Sequence, residues 1–330
     1  MPPDDVRREL QRVVSVTTRS TRSDYLLSAY LHTGQKRVID LLSLWPWIGL
    51  DDMAALLNVS SARALELLDI PLRLRLVQRV RLGGCVRYVL SDRALAFLAR
   101  RDRLSAQAVL KRWSPAPWDP QAAFSWRNVT GSRGRQLARD IDHTSAVHGF
   151  LASLAREARS RGHELVMADP PHRAARRYQV AGRYEPISPD AYGIYRAGDA
   201  THHFFLEWER RAAHPALLEG KLAPYLRYYA SRRVLEDHSA YPTLLVVLRD
   251  ETIESHFLGI AAKEVAGAGR TTLRVLASNA EFIGSLGPLH AVWKSGPYGD
   301  AHSLHSALAE YASDGSTGIG AQVRPFGRSP

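Results

Sequence analysis

The sequence predicts a mixed α/β protein with two folded domains, the first helical with a small β-ribbon and the second built on a mixed central sheet. The chain has 330 residues, which favours two domains over one, and its apolar fraction of 45% is sufficient for ordinary packed cores. Helical apolar spacing dominates as far as residue 102. Beyond residue 142, short apolar strands alternate with amphipathic helices, which is the pattern of an α/β domain.

The charge of the chain indicates a polyanionic partner. The formal net charge is +11 with a pI near 10.0, and only five of the 44 basic residues are lysines. Arginine makes planar, bidentate contacts with phosphate and with guanine. A GC-rich genome would account for arginine over lysine, but it would not account for the positive excess. Nucleic acid is therefore the favoured partner.

Several classes of protein are disfavoured by the sequence. A single cysteine, Cys85, excludes an intrachain disulfide and a cysteine-rich zinc cluster. The N-terminal stretch has no signal-peptide core, and no run of about 18 apolar residues is present. Neither a GxxxxGK[ST] phosphate-binding loop nor a dinucleotide-binding fingerprint occurs. We therefore expect a cytoplasmic protein that has no membrane partner and carries out no ATP-driven chemistry.

The N-terminal domain is predicted to bind DNA. Residues 1–23 are polar and basic and are interpreted as a basic arm. Residues 24–103 follow in the order helix, turn, helix, β-ribbon, helix, and Gly83-Gly84 is a hairpin signal. This order resembles a winged helix-turn-helix domain, whose second motif helix enters the major groove. The same fold also mediates protein–protein contacts. The side chains expected to contact DNA are Arg63 on that helix and Arg79, Arg81 and Arg87 on the wing.

Residues 104–141 are predicted to form a basic, proline-rich connector. The stretch WSPAPWDP cannot continue a helix or a central strand. The following basic segment contains glycine, so Arg133 and Arg135 are candidates for DNA phosphate contacts; a plain solvated linker is the alternative. At the other end of the chain, residues 298–330 are expected to be a largely disordered tail, because apolar residues become scarce there.

Two segments, residues 187–196 and 202–210, are predicted to pair as a β-hairpin. If residues 197–200 form the turn, Asp190 lies directly opposite Glu207. Directly opposed residues on antiparallel strands have Cβ atoms only about 4.5–5.5 Å apart. The two carboxylates are therefore expected to meet at one end of the hairpin.

Glu209 adds a third carboxylate to the same strand face, because strand side chains alternate. Like charges this close repel, and burial makes the repulsion more costly. A divalent cation is the simplest remedy, and Mg²⁺ or Mn²⁺ prefers carboxylate and water oxygens. Asp190 and Glu207 are therefore the candidate metal ligands of a phosphodiester-cleaving site. Solvated carboxylates, or carboxylates neutralised by arginine, are the alternative.

The second domain, residues 142–297, resembles the PD-(D/E)xK, or restriction-endonuclease-like, α/β fold. The proline-aspartate of that signature is present as Pro189-Asp190. More closely, residues 20–295 are similar to the replication-relaxation family of mobile-element proteins. The matching motifs, in order, are IDHTSAVHGFL, SPDAYGIYR, FFLEWER and KLAPYLRYY. The resemblance implies a role in plasmid replication or conjugative mobilisation, and some relatives of this family look like metal-dependent relaxases.

One position departs from the nuclease signature. The signature has a lysine two residues after its second acidic residue, where it stabilises phosphate charge or orients the attacking water, and this chain has Glu209 there. Lys221 on the next helix could supply the ammonium group instead, because a flexible stem can approach from several directions. The expected catalytic set is Asp190, Glu207, Glu209 and Lys221. Loss of catalysis is equally consistent with this departure.

The sequence therefore predicts a DNA-binding protein of a mobile element that acts as a metal-dependent nickase or relaxase. The alternative is a non-catalytic replication accessory or transcription regulator with a degenerate nuclease-like domain. The expected partner is double-stranded DNA, or nicked or single-stranded DNA, with a homodimer and relaxosome proteins as further candidates. His143 could face the site, although a structural role at the start of its helix is favoured. The recognised DNA sequence and the oligomeric state stay open.

Overall fold

Helices cover both faces of a mixed five-stranded sheet in the computed structural model of the protein. The structure describes residues 27–117, 124–180, 182–210, 215–231, 233–269 and 271–313. The predicted basic arm (1–23) and residues 314–330 of the predicted tail lie outside these ranges. The mixed α/β class predicted from the sequence is confirmed.

The N-terminal helical region follows the predicted order of elements. Ser60 and Ser91 begin two of its helices, since each hydroxyl oxygen accepts a hydrogen bond from the backbone N–H three residues later. The β-ribbon turns at Gly83 and Gly84, both at positive φ. Its elements are α1 (Thr33–Leu44), α2 (Leu50–Leu57), α3 (Ser61–Arg73), β1 (Val77–Leu82), β2 (Cys85–Leu90) and α4 (Asp92–Arg101).

The connector contains helices that the sequence did not predict. They are α5 (Ala106–Trp113), a 3₁₀ turn (Trp126–Asn128) and α6 (Ser132–Arg139). The backbone N–H of Gly131 donates to the Ser114 carbonyl at 2.8 Å, and the Trp47 indole donates to the Gly134 carbonyl at 3.0 Å. Because these contacts join the connector to itself and to the N-terminal helical region, its described parts are packed structure and not a solvated linker.

The central sheet has the strand order β3-β6-β7-β8-β9. Pairing is antiparallel from β3 to β7 and parallel from β7 to β9, with helices in the parallel crossovers. A separate hairpin, β4–β5, lies between β3 and β6 in the chain. The elements are α7 (Ile141–Ser160), β3 (Glu164–Asp169), α8 (Pro171–Ala174), β4 (Arg176–Val180), β5 (Arg183–Ile187), β6 (Ala191–Ala197), β7 (Ala200–Trp208), α9 (Pro215–Ala230), α10 (Arg233–His238), β8 (Thr243–Leu248), α11 (Glu251–Gly267), β9 (Val275–Asn279), α12 (Ala280–Ser285), β10 (Ala291–Trp293), β11 (His302–Ser303) and α13 (Leu304–Ser313).

The sheet separates two hydrophobic cores. Along β7, Leu206 belongs to the core that contains α7, whereas Phe205 belongs to the core that contains α9 and α11. Every residue of β8 is buried, as expected for an apolar strand covered on both faces. The core on the α7 side also includes Leu42 and Leu68 of the N-terminal helical region. Residues on both sides of the predicted domain boundary therefore share one core.

The C-terminal part of the described chain corrects one prediction. Residues 298–330 are predicted to be largely disordered, yet residues 302–313 form β11 and α13. Leu304 and Leu308 of α13 are buried in the core on the α7 side, and their i, i+4 spacing gives the helix its apolar face. None of the helices in the described ranges is both long and apolar enough to cross a membrane.

Candidate active site

The β6–β7 hairpin has the predicted register. Ala191 pairs with Leu206 and Ala197 with Ala200, and the turn consists of Gly198 and Asp199. The backbone N–H of Asp190 donates to the Leu206 carbonyl at 2.9 Å, which extends the ladder beyond the last strand pair. This pairing brings Asp190 next to Glu207 at the carboxyl end of β7, where functional groups gather in sheets with parallel strands.

A close contact inside the hairpin requires a glycine. The ring of Phe204 lies over Gly193, its partner in the register. A Cβ atom on Gly193 would lie only 2.2 Å from that ring. The aromatic ring therefore occupies the space that any side chain at position 193 would need, and this packing supports the strands that carry the carboxylates.

Asp190 is held by two partners. Its Oδ2 accepts a hydrogen bond from the backbone N–H of Trp208 at 2.8 Å, and its Oδ1 lies 2.9 Å from Nε2 of His143 in the first turn of α7. The Asp190 side chain is 18% exposed. Burial lowers the pKa of His143, but the hydrogen bond and charge of Asp190 outweigh it, so the pKa of His143 is raised above its ordinary value.

Glu207 is the more deeply buried carboxylate. Its Oε1 accepts the hydroxyl proton of Tyr225 at 2.6 Å, and its Oε2 lies 3.2 Å from Nζ of Lys221. Burial raises the pKa of Glu207, and the negative charge of Asp190 raises it further, to about 7. Glu207 is therefore protonated more readily than an ordinary glutamate, first because it is buried and then because Asp190 is close.

Lys221 pairs with two glutamates, Glu207 near the end of β7 and Glu209 just beyond it. Its Nζ lies 2.6 Å from Oε2 of Glu209 as well as 3.2 Å from Glu207. Lys221 and Tyr225 are four residues apart on α9, so both project from one face of the helix toward the end of β7. Burial lowers the pKa of Lys221, but Glu207 and Glu209 outweigh it and the pKa is raised, so the ammonium group stays protonated.

These side chains border an open cleft with a volume of about 400 Å³. Asp190, Glu209, Lys221 and His143 line it, and Glu207 lies beneath them. Arg139 and Arg210 stand at its edge, and Arg210 contacts Asp142 at 3.4 Å. We call this space the carboxylate cleft; it combines acidic groups with cations that could hold a phosphate.

Asp190 and Glu207 are the donors that a divalent cation would use. Each oxygen of both side chains has one hydrogen-bond partner, and an ionised carboxylate has further lone pairs. Within the described ranges, no group of three or more histidine, cysteine, aspartate or glutamate side chains could enclose a metal ion. The site therefore offers two carboxylates, which is how Mg²⁺ is commonly held while it keeps several waters.

The arginines expected to contact DNA in the N-terminal helical region differ in their exposure to solvent. Arg79 and Arg81 on β1 are exposed. Arg63 on α3 is also exposed, where its guanidinium pairs with Glu66 at 2.6 Å. Arg87 is only half-exposed, and its Nε is buried with no hydrogen-bond partner among the described residues.

Arg87 therefore points inward, which differs from its predicted position on the surface of the wing. Its guanidinium lies beside Gly49 at the start of α2. Its charge also acts on Asp52, whose pKa is raised by burial and lowered in part by Arg87. The prediction treated all wing arginines as equivalent, but alternation along β2 turns this one toward the interior.

The two arginines of the connector are both exposed on α6. The Nε of Arg135 donates to the Val129 carbonyl at 2.6 Å, which fixes the start of that helix to the preceding turn. Arg133 donates to the Gln136 side chain at 2.8 Å and lines a second cavity beside the carboxylate cleft. Both side chains keep surface that could approach a polyanion.

Sequence reasoning underestimated two residues of the site. His143 contacts Asp190, although a structural role was favoured for it, and Tyr225, which was not among the expected site residues, contacts Glu207. The i, i+4 spacing of Lys221 and Tyr225 was a usable signal. The contact of His143 with Asp190 depends on how α7 packs against the hairpin, and no local sequence pattern predicts that packing.

Comparison with protein families identifies one to which a large part of the chain is similar. A family model described as replication-relaxation matches residues 63–244, which is more than half of the chain. The matched range extends from α3 to the start of β8 and contains all four residues of the expected catalytic set. Comparisons with curated proteins and with solved structures gave no match.

Proposed function

The chain belongs to the replication-relaxation family, and we propose that it binds DNA and cleaves one strand of it for a mobile element. The family indicates a replication-related protein of a mobile element. The substrate class is supported by the net charge of +11. The cleavage chemistry is supported by the carboxylate cleft.

The proposed DNA-binding part is a winged helix-turn-helix in residues 33–101. Three helices followed by a β-ribbon and a fourth helix are the order of that fold. In it α3 would enter the major groove with Arg63 in its first turn, and the ribbon would carry Arg79 and Arg81 to phosphates. Binding would then be salt-dependent, with a slope of roughly one unit for each phosphate contact.

The proposed cleavage site is a variant of the PD-(D/E)xK arrangement. The observation that carries this proposal is the position of Lys221. The signature places a lysine where this chain has Glu209, and the Lys221 ammonium lies 2.6 Å from the Glu209 carboxylate. This contact supports the proposal that α9 supplies the cation that the signature takes from the strand, and its acidic neighbours keep the cation charged.

Asp190 and Glu207 would hold Mg²⁺ or Mn²⁺. Their oxygen donors suit a hard cation; the pKa of Glu207 is raised first by burial and then by the charge of Asp190, and a cation would offset the second of these effects. Such an ion lowers the pKa of a bound water and polarises a phosphoryl oxygen. Two carboxylates with further coordination by water and phosphate are sufficient for Mg²⁺.

The protein's own groups would each do a separate task at the scissile phosphate. Lys221 would donate to a phosphate oxygen, where positive charge stabilises the charge that develops during cleavage. Glu209 holds the Lys221 ammonium in place, and Tyr225 holds Glu207. His143 holds Asp190 in the orientation that faces the cleft.

A second candidate is a non-catalytic DNA-binding protein. It is favoured by the same contacts, because Lys221 already pairs with both glutamates and His143 already pairs with Asp190. A cluster whose charges are satisfied internally can be a stabilising element of a degenerate nuclease fold. In that case the protein would act through binding alone, as a replication accessory or a transcription regulator.

A plasmid-nicking assay separates the two candidates. Supercoiled DNA is incubated with the full chain with and without Mn²⁺, and open-circular product is measured. Wild type, Asp190→Asn and Lys221→Met are compared with Asp199→Asn, whose side chain is exposed in the turn of the same hairpin. Thermal melting of each variant checks that it is folded.

Metal-dependent nicking by wild type and Asp199→Asn, with at least about a hundredfold loss in the other two variants, is the expected result. Duplex binding by all four proteins without nicking in any of them would reject the cleavage proposal and support the second candidate. Absence of duplex binding at low salt would reject both.

The DNA-binding part has its own test. Replacing both Arg79 and Arg81 by glutamine should reduce the slope of log Kd against log salt by about one to two. Replacing both Arg233 and Arg249 by glutamine, which removes two exposed charges from the second half of the chain, is the matched control. An equal effect of the control would show that net charge acts without a defined interface.

A further inference from the structure

A second cavity adjoins the carboxylate cleft. It has a volume of about 190 Å³ and lies where the end of α1, the connector and the second half of the chain meet. His143 and Asp190 line this cavity and also the carboxylate cleft. We call it the aromatic pocket. Whatever occupies it would therefore lie beside the proposed cleavage site.

The wall of the aromatic pocket is rich in flat apolar groups. Trp113 of α5 and His172 of α8 approach edge to face, with ring centroids 4.7 Å apart. Trp45 and Val147 add apolar surface, and Ser188 and Gln136 are among the polar groups. An apolar, aromatic wall with a few polar groups is typical of a pocket for a small flat ligand.

The lining of the aromatic pocket carries charged groups of both signs, with Asp140 and Asp190 on the side of the carboxylate cleft. Arg133 lines the aromatic pocket directly. Burial lowers the pKa of His172 to about 4, and the charges of Arg173, Arg112 and Arg133 contribute to the lowering. His172 is therefore neutral near pH 7, and three guanidinium groups lie close to it. A neutral ring with guanidinium groups near it complements a nucleotide, which has a flat base and an anionic phosphate.

We propose that the aromatic pocket accepts one unpaired nucleobase of a DNA strand whose backbone passes the Asp190 side of the carboxylate cleft. This inference rests on the proposed function, because it assumes that DNA is the ligand. Holding a base outside the stack costs unstacking energy, and this cost is least when the DNA is already single-stranded. Stacking of the base on aromatic side chains would compensate for that cost.

The test uses a fluorescein-labelled single-stranded oligonucleotide and a set of copies in which one base at a time is removed to leave an abasic site. Binding to the full chain is measured by fluorescence anisotropy without added metal, so that cleavage does not enter. Trp113→Ala removes the larger ring, and Trp113→Phe keeps an aromatic ring. Tyr298→Ala is the control, because Tyr298 is fully exposed and does not line the aromatic pocket.

For wild type, one abasic position should weaken binding by about tenfold while its neighbours have little effect. Trp113→Ala should weaken binding of the intact oligonucleotide by a similar factor and should abolish the difference between intact and abasic strands. Trp113→Phe and Tyr298→Ala should both stay within about threefold of wild type. Because Trp113 also packs against the core, His172→Ala serves as a second variant and should give the same pattern.

Three results would overturn the proposal, and they differ in what else they reject. If all abasic strands bind wild type as tightly as the intact strand, the aromatic pocket takes no base, while DNA binding itself stands. If neither single-stranded nor duplex DNA binds at low salt, the proposed function fails together with the pocket. Base-dependent binding that survives Trp113→Ala and His172→Ala would place the base elsewhere and would also reject the proposal.

Discussion

Replacing Lys221 by methionine should destabilise the protein, and the loss should grow as the pH rises. Methionine matches the lysine side chain as far as Cε but lacks the ammonium group that lies 2.6 Å from Glu209 and 3.2 Å from Glu207. The glutamate side chains are only 12% and 13% exposed, so water cannot replace the lost cation fully.

The magnitude follows from the geometry. At 3.2 Å and an effective dielectric constant of about 20, the attraction between Lys221 and Glu207 is about 5 kcal/mol before desolvation is counted. Removing one partner of a buried pair costs about 3–5 kcal/mol in measured cases. The Lys221 side chain is 36% exposed, so solvent screening reduces the effect, and we expect a loss of about 2–3 kcal/mol at about pH 8.

The pH dependence has a defined sign. The pKa of Glu207 is about 7 in the folded protein, above its ordinary value of 4.5, so the folded state binds the proton more tightly than the unfolded state. Stability therefore falls as the pH rises from 4.5 through 7. Without Lys221 the pKa of Glu207 rises further, so the variant keeps losing stability above pH 7, where wild type levels off.

Urea unfolding followed by circular dichroism at about pH 5, 6, 7 and 8 measures both effects, since each midpoint and slope give a free energy. Lys263→Met, at an exposed position on α11, makes the same charge change away from the site and should alter stability by less than about 0.5 kcal/mol. A Lys221→Met variant that matches wild type at every pH, or one whose loss does not change with pH, would refute this account of the cluster.

Three further predictions concern single side chains. Tyr225→Phe removes the hydroxyl that donates to Glu207; it should cost about 1.5–3 kcal/mol in urea unfolding and raise the pKa of Glu207 above 7, measurable by carboxyl NMR. Gly193→Ala should cost about 3 kcal/mol, because its Cβ would lie 2.2 Å from a phenylalanine ring, whereas Gly259→Ala, in open space within α11, should stabilise by about 0.5–1 kcal/mol. His238 is buried, and burial lowers its pKa to about 3. Between pH 6.5 and 3 the unfolded state therefore takes up a proton on His238 that the folded state does not, so stability falls with acidification. His238→Phe should make that decline shallower, by up to about 1.4 kcal/mol per pH unit. An unchanged acid limb in His238→Phe would contradict the last prediction.

The hairpin could be predicted from the sequence because it depends on local rules. Strand alternation and a short turn set its register, and the pairing of Ala191 with Leu206 agrees with the predicted opposition of Asp190 and Glu207. The placement of Lys221 near these carboxylates could also be anticipated. The helix α9 connects β7 to the parallel strand β8, so the part of it that follows β7 in the chain starts near the end of β7.

Other features depend on contacts between distant parts of the chain and could not be predicted in this way. The connector has the composition of a linker because it combines a proline-rich stretch with a basic, glycine-containing segment, yet Gly131 allows its backbone to pack against Ser114. A Cβ at position 131 would lie only 2.4 Å from the Ser114 nitrogen, so this glycine is explained by packing and not by flexibility. Likewise, α13 becomes apparent only once the sheet provides the surface that buries Leu304.

The core that α7 shares with the N-terminal helical region has a consequence for where a strand would be cut. Leu42 and Leu68 lie in the same hydrophobic cluster as Leu151 and Leu206, so the recognition helix of the proposed winged helix cannot swing independently of β7. Under the proposed function, the spacing between the recognised base pairs and the broken phosphodiester would be set by the protein itself. Moving the recognition sequence along a plasmid would then move the nick by the same number of nucleotides.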